Sequence, residues 1–324
     1  SFGVGRVSSL FVYPMSFDEF LTATGQEGLL RTKRNSSPTN PLPEAFYNRL
    51  VEAFRSYMLV GGMPEAVATY TETGSYRYSS DIVNEIIQGY QDDFAKYGAK
   101  ANPLLLRQTL ISVAHQAGAK FVYSRVEGQY RSAEVKVALE MLKDAGLIIP
   151  TYHTDANGVP LGAEINERVV KYLIHDTGVL LGILGIDDDI DDSIKEMMVA
   201  DSIDLVDKGH VAEMMAGLEL IKYSSPQKRH QLYYWQNMNK GTCAEVDYVI
   251  ARSGSIVPIE VKSGVKGSMS SMYSLMRNPQ KHIEMGIRCS LENFGTFESP
   301  DGKKIDIIPL YAISNLFAEK QMGI

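Results

Sequence analysis

Asp247 and the Glu260-Val261-Lys262 triplet bring two carboxylates and an ammonium into two short strand-like runs, Glu245–Arg252 and Ser255–Ser263, separated by Ser253-Gly254. Side chains alternate between the two faces of a strand. Glu245, Asp247 and Val249 therefore share one face of the first run, and Glu260 and Lys262 share a face of the second. Paired as a hairpin, the runs converge these groups on one patch. Two carboxylates and a lysine are the least equipment that can hold a divalent cation and a water beside a phosphodiester. Mg²⁺ keeps several of its waters and accepts one or two carboxylates plus a substrate phosphate. The Val261 carbonyl would add a further oxygen. The bound cation lowers the pKa of its water, and the lysine orients that water and offsets charge in the transition state. A Glu-x-Lys on a strand also has a plainer reading, a solvated face or a cross-strand ion pair.

These residues need a scaffold, and the C-terminal pattern supplies one. From Gly209 onward the sequence predicts a helix (His210–Lys222) and three successive strands (Gln231–Gln236, Glu245–Arg252, Ile256–Lys262). A short helix (Met269–Met276) and strands near Gly286–Ser290 and Lys304–Leu310 follow. This α-β-β-β-α-β order resembles the core of the PD-(D/E)XK nuclease superfamily. The resemblance implies that Asp247 and Glu260 bind Mg²⁺ and that Lys262 is the catalytic lysine. It also implies that Glu213, on the preceding helix, is an additional metal-binding glutamate. Ala216 and Gly217, one turn further on, are small enough to let that helix lie close to the sheet.

Upstream, Ser16 with Glu19 forms a capping-box pattern, and helical patterns occupy Glu44–Val60 and Asp81–Ala95. Helices at Leu104–Gln116 and Ser132–Ala145, followed by strand-like runs at Leu147–His153 and Arg168–Ile174, resemble a winged helix. Arg131 and Lys136 are its candidates for nucleic-acid phosphate contact, although Glu134, Glu140 and Asp144 share their helix. Residues 185–207 carry nine acids against one lysine. Within them the run from Asp187 to Asp192 fails as a calcium loop, because Asp192 stands where an EF-hand needs glycine and Met198 where it needs glutamate. A solvated linker is the expectation there. The formal net charge of −7 argues against indiscriminate coating of nucleic acid, but residues 208–324 hold fourteen Lys/Arg against eleven Asp/Glu, which permits binding. No apolar run approaches the roughly 20 residues of a membrane span. Two cysteines, Cys243 and Cys289, fit a reducing cytoplasm.

The resemblance extends along nearly the whole chain. The segments SFGVGRVSSLFVYPMSFDEF, YMLVGGMPEAV, KFVYSRV, LKDAGLI, YYWQNMNKGTCAEVDYVI and PIEVKSG are similar to those of prokaryotic AAA+-type ATPases whose tail is a domain of unknown function with a restriction-endonuclease-like core. It implies an α+β multidomain protein with an ATPase-tail remnant and helical segment at 1–100 and a winged-helix-like domain at 101–175. An acidic linker at 176–207 and a PD-(D/E)XK nuclease-like domain at 208–324 complete it. No G-x-x-x-x-G-K-[ST] phosphate loop occurs in these 324 residues. ATP binding is accordingly expected only in a longer protein carrying an N-terminal ATPase domain. The function expected is Mg²⁺-dependent DNA phosphodiester hydrolysis or DNA processing coupled to that ATPase. The rival is a catalytically inactive nuclease-like fold that serves as a DNA- or protein-binding module.

Overall fold

A computed structural model describes residues 7–96, 102–185, 192, 208–237, 244–264 and 267–317. The chain opens with helices α1 (Phe17–Ala23), α2 (Glu27–Arg34), α3 (Glu44–Val60), α4 (Pro64–Thr73) and α5 (Tyr76–Lys96). Ser16 and Glu19 form the expected capping box at the start of α1. Phe17 meets Phe54 of α3 edge-on, with ring centroids 5.1 Å apart, at the centre of this helical layer.

The Gly61-Gly62 pair after α3 is a junction of three backbone segments. Gly62 donates its N–H to Asp176 Oδ2 at 2.6 Å and accepts from the Met15 N–H at 2.7 Å. A Cβ on Gly62 would lie 2.3 Å from the Met15 carbonyl oxygen, and one on Gly61 would lie 2.2 Å from Asp176 Oδ1. No side chain fits there. Asp176 is fully buried and also caps helix α8 (Thr177–Ile183) through the Val179 N–H.

Helices α6 (Pro103–His115) and α7 (Ser132–Asp144) precede an antiparallel pair, β1 (Ile148–Thr154) and β2 (Ile165–Ile174). The N-cap of α7 is Arg131, whose N–H donates to the carboxylate of Glu134 reaching back to it. Helix α9 (Lys208–Lys222) leads into strands β3 (Leu232–Gln236), β4 (Glu245–Val246), β5 (Tyr248–Arg252) and β6 (Ser255–Val261). Helix α10 (Ser270–Arg277) and strands β7 (Met285–Ser290), β8 (Gly295–Glu298) and β9 (Lys304–Pro309) follow, and the 3₁₀ segment Leu310–Phe317 closes the described chain. The molecule is α+β, with a helical N-terminal part and mixed sheets.

Two sheets have the orders β2-β1-β3-β4 and β5-β6-β7-β9-β8. The first crosses the boundary expected between residues 175 and 208, since β1 runs parallel to β3 in the register Thr151↔Leu232 to His153↔Tyr234. A single hydrophobic core runs from Phe17 through Leu139, Leu173 and Leu218 to Leu316. A second cluster, including Trp235, Val246, Met272 and Leu275, lies under α10. Of the acidic segment, only Asp192 is described: it accepts from Ser75 Oγ and from the Arg77 N–H at the start of α5. The linker expected over 176–207 does not begin at 176, where Asp176 caps the buried helix α8; residues 186–191 and 193–207 lie outside the described residues.

Candidate metal centre

The strand expected over Glu245–Arg252 is divided at Asp247. Val246 pairs with Trp235 of β3, whereas Tyr248 pairs with Ile259 of β6, so one extended segment belongs to both sheets. The turn that closes β5 and β6 is Ser253-Gly254, both at positive φ (49° and 79°), as a tight two-residue hairpin requires. Tyr248↔Ile259 is the last pair of that ladder, and one further step would set Asp247 opposite Glu260. At that point the ladder stops, and Asp247 Oδ2 instead accepts the Val261 N–H at 2.7 Å. The expected shared face is thus built by a strand changing partners, with Asp247 at the change.

Glu260 is 5 % exposed; its Oε1 accepts from Lys262 Nζ at 2.7 Å, and its Oε2 is buried with no partner among the described residues. Burial, then the Asp247 charge, pushes its carboxyl up to about 7, against the pull of Lys262. Asp247 is raised as well: burial outweighs the Val261 N–H and the nearby lysines. Gly267 leaves room for Lys262, since a Cβ there would lie 2.7 Å from Lys262 Cδ.

Glu213 reaches the same cluster from α9. Its Oε1 accepts from Lys171 Nζ of β2 at 2.8 Å, and Lys171 Nζ also contacts Glu245 Oε1 at 2.5 Å. The α9 face sits close to the sheet where the small residues were noted: a Cβ on Gly217 would lie 2.4 Å from the Tyr248 hydroxyl. That hydroxyl donates to the Glu213 carbonyl at 2.8 Å. Lys171 is 1 % exposed and sits 5.0 Å from the centroid of the Tyr234 ring. Burial pulls its pKa down, but Glu213 and Glu245 outweigh burial and hold it above its ordinary range. Glu213 is nonetheless pushed up to about 8, first by burial and then by Asp247 and Glu245, which Lys171 only partly counters. Burial is the largest cause, and one ammonium divided between two carboxylates, with a third repelling them, does not offset it.

The donor chemistry suits a divalent cation at Asp247 and Glu260, where a buried carboxylate oxygen has no partner among the described residues. Among the described residues, however, no group of three or more His, Cys, Asp or Glu side chains is placed to hold a metal ion. Such a cation would thus rest on two carboxylates plus water and substrate oxygens, the arrangement typical of Mg²⁺. Glu213 is engaged with Lys171, and what Val261 gives the site here is its N–H, to Asp247. Arg131 and Lys136 are exposed on α7, a helix packed on α6 and β1 rather than on the strands that carry Asp247 and Glu260. Lys171 was not anticipated from the sequence. Its signal is a lone lysine within the apolar run Val169-Val170-Lys171-Tyr172-Leu173-Ile174.

Two family models match this chain. Residues 51–190 match a domain of unknown function, DUF8612, and residues 208–313 match another, DUF4143. The second is a domain found in the C-terminal region of AAA-ATPase-like proteins. No curated protein and no solved structure matches the chain. No helix among the described residues is long and apolar enough to cross a membrane.

Proposed function

We propose that residues 208–317 form a PD-(D/E)XK-like centre for Mg²⁺-dependent DNA phosphodiester hydrolysis, with residues 103–174 as a winged-helix-like neighbour and an AAA+ ATPase domain as its partner. The observation that carries this reading is the buried Glu260 Oε2, without a partner among the described residues, next to Asp247 and Lys262. A carboxylate oxygen denied water and hydrogen bonds costs about 1–3 kcal/mol or more, and a cation removes that cost. A cation held by Asp247 and Glu260 would supply an activated water and charge neutralisation at the phosphate. Lys262, which keeps part of its surface in solvent, is the side chain placed to meet a phosphate oxygen. The test is nicking of supercoiled plasmid DNA with Mg²⁺ or Mn²⁺: activity lost in Asp247→Ala and in Lys262→Ala supports the reading. Absence of any metal-dependent nicking by the wild-type chain refutes it.

A second reading, a non-cutting module that binds DNA or protein, is favoured by one specific feature. Glu213 and Glu245 are already engaged by Lys171, so two of the cluster's four carboxylates serve as internal partners. A chain that retards DNA in a gel without cutting it under either metal would have this function.

A further inference from the structure

We infer that Lys171 is a built-in counter-ion that competes with a divalent cation for the acidic cluster, so that its insertion or withdrawal sets the cation affinity of the centre. The inference rests on the metal-centre reading above and adds its control. Lys171 belongs to the region matched by one family model, and Glu213 and Glu245 belong to the region matched by the other. Its ammonium lies between the two carboxylates, at 2.8 and 2.5 Å. Nothing else in the described cluster brings a full positive charge into that space, because Lys262 is paired with Glu260 on the solvent side.

This occupancy explains an otherwise odd combination. The cluster contains Glu213, Glu245, Asp247 and Glu260, yet no three of them close on a common point. With an ammonium between Glu213 and Glu245, those two carboxylates face the lysine. Asp247, next in line, is turned to the Val261 N–H. A cation entering between Asp247 and Glu260 meets a field already reduced by Lys171. A cation that recruited Glu213 as well would have to displace the ammonium. Binding and insertion oppose each other, and by linkage whatever draws Lys171 out must tighten cation binding by the same factor.

The mounting of Lys171 allows such control. It lies on the edge strand of its sheet, paired across one isolated bridge with Lys120. Lys120 belongs to the loop after α6 that holds Gly118 against His210 and Glu213. A shift of α6 and β2 relative to α9 would move the lysine and the Gly118 contact together.

Mn²⁺ binding to the full chain, measured by calorimetric titration without nucleic acid, tests this. Lys171→Met is expected to bind Mn²⁺ at least about tenfold more tightly than wild type, the scale of an ordinary coupling between sites. Lys120→Met removes a neighbouring charge without emptying the cluster and should stay within about twofold of wild type, as a screened surface charge does. If Lys171→Met binds no better than wild type, or Lys120→Met gains as much, the counter-ion role is overturned and the metal centre stands. If none of the three binds Mn²⁺, both fall. Should Lys171→Met unfold in metal-free buffer, excess Mn²⁺ must restore its circular-dichroism spectrum, and failure to do so overturns the role equally.

Discussion

Replacing Glu260 by glutamine removes a charge that the fold tolerates poorly and keeps the shape that surrounds it. In the folded chain burial and the neighbouring Asp247 raise this carboxyl from its ordinary 4.5 to about 7. Between those two values the folded state holds a proton that the unfolded state has released. Stability therefore falls as pH rises through that window, and the loss is complete above it. A shift of that size corresponds to about 3 kcal/mol, since each unit is worth about 1.4 kcal/mol. Glutamine has no proton to lose. The variant should match wild type near pH 5 and exceed it by about 2–3 kcal/mol near pH 8, after a small allowance for the weakened contact with the partly exposed Lys262. Urea unfolding at both pH values reads the effect, with unchanged denaturant slopes confirming that the same surface is exposed. Every other titrating group is common to both proteins and cancels in the comparison, apart from those coupled to Glu260. Parallel pH profiles for wild type and Glu260→Gln would refute the argument that an uncompensated carboxylate is buried here.

Two further outcomes concern the scaffold. Gly62→Ala drives a methyl into the Met15 carbonyl, a backbone atom with no freedom to withdraw, and should cost about 3 kcal/mol in a urea melt; a cost below about 0.5 kcal/mol would show that the junction yields. Asp18→Ala leaves the ammonium of the fully buried Lys33 with the Ser314 hydroxyl and the face of the Phe17 ring but no carboxylate bonded to it and should destabilise by about 3–5 kcal/mol. The double change Asp18→Leu with Lys33→Met, which removes both charges together, should recover most of that loss in the same melt.

Elements governed by local pattern were readable before the fold was known. The predicted bounds of α3 coincide with those observed, because Pro43 and Gly61 limit it on either side. Over residues 208–309 the expected helices and strands are present, with the second of the three expected strands divided into β4 and β5 and with β8 added after the second helix. The break at Asp247 was not readable, since strand alternation continues through it and only the change of partner from Trp235 to Ile259 reveals it. The four-residue β8 carries too little pattern to stand out. Helix α8 also escaped notice, because its seven residues are too short and too uniformly apolar to show a helical period. Lys171 illustrates a further limit at the site. Its partners lie 42 and 74 positions along the chain, and only tertiary packing selects Glu213 and Glu245 from the acids available.

That selection decides what counts as the functional unit. The β1–β3 pairing joins the two matched regions by backbone hydrogen bonds, and Lys171 joins them by charge. A piece beginning at residue 208 would lose the edge partner of β3 and the counter-ion of Glu213 in the same cut. Its freed carboxylates would be hydrated and unopposed, so it would bind cations through groups that the full chain holds closed. Tight Mn²⁺ binding by such a piece would report the excision and not the affinity of the protein. Weak binding by the full chain would equally be compatible with a competent centre in which Lys171 is inserted. The two quantities differ by the coupling between lysine and cation, and only measurements on the full chain, with and without that lysine, separate them.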